Sequence, residues 1–113
     1  MNALQPPTLS FFASVTVQVG EAISIGTTID GERKVVPITG GTVLGEGFTG
    51  KVLIAGADVQ LYPLGTTAYL KAMYILERED GTRHFAANQA LRTGSARDLA
   101  QLVGGEEVPA QNI

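Results

Sequence analysis

The 113-residue sequence has no cysteine, no tryptophan and a single histidine. Without cysteine there is no disulfide staple, no thiolate nucleophile and no thiolate metal ligand. One histidine, His84, cannot build a multi-histidine metal centre within one chain. Neither a metal nor an organic cofactor is therefore expected. Charge is sparse too: 8 basic residues stand against 11 acidic ones, for a net charge of −3. That balance leaves no basic stripe to neutralise a phosphate backbone, so nucleic acid is not an expected partner. No apolar run is long enough to span a bilayer, and the opening MNALQPPTLS lacks the basic and apolar segments of a secretory leader. The expectation is a soluble, cytoplasmic protein with no membrane partner. No serine lies in a G-x-S-x-G elbow, and TGGTVLGEG lacks the lysine and hydroxyl of a phosphate loop.

Glycine and apolar residues are what remain. Residues 35–60, VVPITGGTVLGEGFTGKVLIAGADVQ, hold six glycines among apolar residues, a pattern that no helix tolerates. It reads as strands meeting at tight corners. The length fits one domain, with residues 1–9 as an extended lead-in around Pro6-Pro7 and residues 10–113 as a single β domain. A strand is expected over 11–19, where apolar odd positions alternate with Ser14, Thr16 and Gln18. A short strand over 22–25 then turns at Asp30-Gly31 into 33–38, which Pro37 marks as an edge strand or ends. Strands follow over 42–44, 48–54, 59–62 and 67–78. The last turns at Asp80-Gly81 into a return strand over 82–88. With a two-residue loop there, Arg78 faces Arg83, Glu77 faces His84 and Leu76 faces Phe85; a longer loop shifts every pair. Both faces of the 67–78 strand are largely apolar, so both are expected to be covered. One helix is expected, with Ser95 as N-cap, Asp98 in its first turn, a stripe of Ala96, Leu99, Ala100 and Val103, and a stop at Gly104-Gly105.

VPITGG, GxVL and GADxQ, followed by the Tyr74 strand, the Asp80-Gly81 turn and LRxG at 91–94, together resemble the domain-of-unknown-function 3237 family. The resemblance covers nearly the whole chain and implies a lipocalin-like antiparallel β-barrel, closed or half-closed, without an assigned activity. It also implies one or two closing strands beyond Ile113 that this chain lacks. In the family pattern an aromatic stands at the position of Val59, an acid and an arginine at those of Lys71 and Met73, and an arginine at that of Ala87. Where those family positions line a cavity, the resemblance implies one that is rewired and less polar here than in relatives.

Several side chains can carry chemistry. Asp58 and Gln60, two apart on one strand, share a face and match the acid and amide of GADxQ. Asp58 can orient or deprotonate a carbonyl compound, or it can simply accept hydrogen bonds from the glycine corner before it. Lys71 projects with Tyr69 and Met73, either as an amine toward an anionic ligand or as a solvated edge lysine. His84 opposite Glu77 is an acid–imidazole pair if the turn has two residues. Asn88 and Arg92 match the family's NxxxR spacing, and Arg92 either holds a carboxylate or pairs with Asp98.

Three functions are consistent with these residues. The first is a barrel that binds a small, partly apolar carbonyl or carboxylate metabolite, with cofactor-free acid–base chemistry at Asp58 and with Gln60, Tyr69, Lys71, Met73, Asn88 and Arg92 as ligands. The second is a non-catalytic carrier or sensor using the same cavity. The third is an assembly module with both sheet faces packed and no cavity lined by Asp58 and Lys71. An unpaired sheet edge further predicts a homo-oligomer.

Overall fold

The computed structural model describes residues 3–113. Seven strands precede one helix: β1 (Ser14–Val19), β2 (Ile23–Thr28), β3 (Gly31–Gly45), β4 (Phe48–Val52), β5 (Ala57–Leu64), β6 (Thr67–Arg78), β7 (Arg83–Thr93) and α1 (Ala96–Val103). Every pairing is antiparallel. The first half of β3 pairs with β2 on one side and β5 on the other, and its second half pairs with β1 and β4. β6 meets β5 and then β4 on one side, and β7 along its length on the other. β4 and β5 therefore lie end to end between two long strands. The result is one barrel-like sheet whose outer members, β1 and β2 at one edge and β7 at the other, do not pair with each other among the described residues.

Pro37 does not end its strand or put it at an edge, because β3 runs through it as the central strand. Its missing N–H falls where the ladders change partners: pairing with β5 ends at Pro37↔Ala57 and pairing with β1 begins at Ile38↔Val19. Its carbonyl still accepts from the Gly20 N–H at 2.8 Å. The Gly40-Gly41 corner likewise bends β3 without breaking it. Gln18 pairs with Gly40 and Val19 with Ile38, so Thr39 is an extra residue that reverses the alternation of faces. Val36 and Ile38 before it, and Val43 after it, all become buried on one side. Gly41 has φ +150°, and a Cβ there would overlap the Thr16 carbonyl oxygen; only glycine lets β1 approach this closely.

The β6–β7 turn is longer than two residues. The Arg78 N–H donates to Thr82 O and the Gly81 N–H to Arg78 O, with Gly81 at φ +89°. The register is accordingly Glu77↔Arg83, Leu76↔His84 and Ile75↔Phe85, one residue away from the two-residue expectation. Asp80 Oδ1 accepts from the Thr82 N–H at 2.9 Å, which holds the turn and keeps the Asp80 carboxyl below its ordinary pKa.

One end of the concave face is a packed core of Ile38, Val43, Phe48, Val52 and Leu76, flanked by Val15, Val17, Tyr74 and Ala86. At the other end α1 meets the concave face. Ser95 Oγ accepts from the Asp98 N–H at 3.0 Å, the expected cap, and Gly104 ends the helix. Its stripe, Ala96, Leu99, Ala100 and Val103, faces Thr27, Glu32, Lys34 and Tyr62 across a narrow groove. Leu99 is only 2% exposed. The convex face has no such cover among the described residues: Tyr69, Met73, Phe85 and Leu91 are all exposed.

Candidate functional site

Strand parity and register decide which polar groups meet. Asp58, Gln60 and Tyr62 alternate along β5 on the concave face. Asp58 lies between Val36 of β3 and Ala72 of β6, and Gln60 between Lys34 and Leu70. Across β6, Ala72 faces Asn88 and Ala68 faces Arg92. Open space remains in front of β5. A cleft of about 640 Å3 occupies it, lined by Val36, Asp58, Gln60, Arg92 and the helix end at Leu102 and Val103, with Gly20 and Glu21 at its rim.

The three β5 side chains form a directed chain. The Tyr62 hydroxyl donates to Gln60 Oε1 at 2.7 Å, and Gln60 Nε2 donates to Asp58 Oδ2 at 2.9 Å. Gln60 is 6% exposed and uses both ends of its amide. The other carboxylate oxygen, Asp58 Oδ1, is buried and has no protein hydrogen-bond partner. Asp58 therefore accepts from Gln60 rather than from the glycine corner. Burial is the main cause that raises the Tyr62 pKa above 10.0; the Arg92 guanidinium opposes it, and the Asp58 and Glu32 carboxylates add to it. Lys34 Nζ pairs with Glu32 at 3.1 Å and sits 5.4 Å from the Tyr62 ring centre.

Of the side chains singled out from sequence, Asp58, Gln60 and Arg92 line one cleft. Asn88 is on the same face, opposite Ala72, at the exposed sheet edge. Tyr69 and Lys71 are on the convex face, where they line a separate groove of about 480 Å3 with Arg33, Val59, Leu61 and Leu91. Met73 follows them at the same parity. Asp58 pairs with Ala72, so Lys71 and Met73 necessarily point the other way. His84 is opposite Leu76, its ring 5.1 Å from that of Phe48. Glu77 instead binds Arg83 Nε at 2.8 Å and Lys51 Nζ at 3.7 Å, contacts that lower its pKa, the Arg83 hydrogen bond most. Arg92 forms no ion pair with Asp98 among the described residues. Tyr62, Lys34 and Glu32 were not singled out. The period of two from Asp58 pointed to Tyr62, but Lys34 reaches the site only through the β3–β5 register, which no local motif announces.

Taken together, this is a single-sheet, antiparallel β-barrel-like protein with a polar cleft between its core and its only described α-helix. The chain belongs to the family described as "Protein of unknown function (DUF3237)", whose pattern it matches over residues 7–112. It is 38% identical over 109 residues to a UPF0311 protein of Rhodopseudomonas palustris (strain TIE-1), covering 95% of this chain and 71% of that protein. The crystal structure of a conserved protein of unknown function from Rhodopseudomonas palustris superposes with a TM-score of 0.80 at 34% identity, over 96% of this chain and 71% of that one. A "beta-barrel like protein" from Acinetobacter baumannii AYE gives a TM-score of 0.70 at 33% identity, over 96% and 71% of the two chains. Among the described residues no helix is long and apolar enough to cross a membrane, and no cluster of His, Asp or Glu suits a metal ion.

Proposed function

We propose that the concave cleft binds a small, partly apolar metabolite that bears a carbonyl or carboxylate, with cofactor-free acid–base chemistry at Asp58. The observation that carries this reading is the Tyr62–Gln60–Asp58 chain with its unused buried oxygen. A buried carboxylate oxygen without a donor is costly, whereas a hydroxyl or acidic C–H of a ligand placed there lowers that cost. Gln60 fixes the carboxylate's rotamer, and Tyr62 fixes the amide. Arg92, on the same cleft, suits a ligand carboxylate, which a guanidinium can bind bidentately. Val36, Leu102 and Val103 receive the apolar part. Lys71, Tyr69 and Met73 take no part in this cleft, being on the opposite face.

Native mass spectrometry of the gently purified protein tests binding without a guess at the ligand. Added mass that is lost on denaturation is the expected result, and Arg92→Ala should abolish it. Asp58→Asn then separates enzyme from carrier: an enzyme loses turnover while keeping much of its affinity. If the wild-type chain carries no added mass and a panel of hydroxy- and keto-carboxylates leaves its melting temperature unchanged, the reading fails.

A further inference from the structure

The groove beneath α1 and the polar cleft are neighbours. The groove, of about 350 Å3, runs between the helix stripe and residues of β2, β3 and β5. Val103 lines both spaces, and Tyr62 joins them: its ring borders the groove while its hydroxyl donates to Gln60 in the cleft. At the opposite end the helix comes against the β5–β6 turn, where a Cβ on Gly65 would lie 3.5 Å from that of Ala96. The groove thus follows the helix from Ala96 to Val103, about 10 Å along the axis, and meets the cleft at the Val103 end. None of its lining belongs to β7, so its walls do not depend on any strand that pairs beyond β7.

The two spaces differ in the polar groups they leave free. In the groove Lys34 Nζ is held by Glu32 at 3.1 Å, with the Tyr62 ring centre 5.4 Å away, and the Tyr62 hydroxyl is given to Gln60. Its helix side is aliphatic, made of Ala96, Leu99, Ala100 and Val103. In the cleft, by contrast, Asp58 Oδ1 has no partner, and Arg92 forms no ion pair among the described residues. A polar ligand group gains partners in the cleft, whereas in the groove it would be desolvated for little return. Apolar matter suits the groove.

Resting on the cleft as the ligand's seat, we infer that the groove is the tail compartment of the same site. The ligand is an elongated acid, its polar head between Asp58 and Arg92 and its apolar chain laid under α1 as far as Ala96. The helix then acts as a ruler. Each further methylene buried along it should tighten binding by roughly fourfold, until the chain reaches the Gly65–Ala96 end.

Calorimetric titration of the full chain with straight-chain 2-hydroxy and 2-keto acids, from the butyrates to the decanoates, reads this ruler. Affinity should climb with length and then stop climbing. Ala100→Phe puts a ring midway along the groove and should weaken binding of the octanoates by roughly tenfold or more, with the butyrates unchanged. Ala96→Leu adds bulk only at the closed end, so it should lower the length at which affinity stops climbing by less than Ala100→Phe does. It decides the matter alone if Ala100→Phe does not fold. Binding of short acids with no gain on lengthening, a gain that the variants leave intact, or equal weakening of short and long acids would each overturn the tail compartment and leave the cleft standing. If no acid of either series binds, the cleft reading fails and the compartment with it.

Discussion

Asp58, Gln60 and Tyr62 share a face because they alternate on one strand, yet what they do depends on being buried together. Tyr62 reports that environment. Its raised pKa means that the folded state holds the phenolic proton more tightly than the unfolded chain does. The stabilisation is complete below the ordinary tyrosine value and is lost as pH rises through the higher folded value. In a Tyr69→Phe/Tyr74→Phe background, ultraviolet titration of Tyr62 should show opposite shifts for two neighbours. Arg92→Ala should raise its pKa further, and Asp58→Asn should lower it. Shifts of one sign, or none, would mean that the three groups do not share a field. Glu77 has the opposite sign. Bound to Arg83 and Lys51, its carboxyl is held below its ordinary pKa, so its contribution is present at neutral pH and fades as pH falls through that depressed value. Arg83→Ala should flatten the acid limb of the stability profile, measured by urea melts at successive pH values.

At the scale of elements, the helix is the part on which the cleft depends most. Eight residues are too few for a helix to be stable alone, so α1 holds its place through Leu99 and the Ser95 cap. Leu99→Ala should cost about 2–5 kcal/mol of docking, and Ser95→Ala about 1 kcal/mol. Both should free the helix and widen the cleft before the sheet melts, which hydrogen exchange of residues 96–103 would register as lost protection with strand protection unchanged. By contrast, Gly41→Ala strikes the sheet itself. It combines a positive φ with overlap on the Thr16 carbonyl, and global stability should fall by at least about 2 kcal/mol in a denaturant melt. The helix and its cap were legible in the sequence because cap, stripe and stop are local signals. The bounds of β6 were legible for the same reason. What was not legible was partnership. Pro37 reads as an edge residue until the change of ladder partners makes its missing N–H harmless, and the β6–β7 register turns on whether one residue more stands in the turn. Lys71 looked like a companion of Asp58 only while the Asp58↔Ala72 pairing was unknown.

For the whole molecule, the decisive feature is a curved sheet whose outer strands do not pair with each other among the described residues. Its radius of gyration is 16.9 Å, whereas a compact chain of about 100 residues has roughly 13 Å. Among the described residues the buried hydrophobic set is correspondingly small: Val36, Ile38, Val43, Phe48, Val52, Ala68, Leu76 and Leu99. A core of this size gives a single copy little margin, while Phe85, Leu91, Tyr69 and Met73 remain outside it on the convex side. Stability should therefore be concentrated in these few buried side chains and be nearly insensitive to the convex ones. Phe48→Ala, at a ring 4% exposed in the core cluster, should cost about 3–5 kcal/mol, whereas Phe85→Ala, at a ring 72% exposed, should change stability by no more than about 0.5 kcal/mol. Urea melts measure both. Comparable losses at the two positions would mean that the convex face is covered as well.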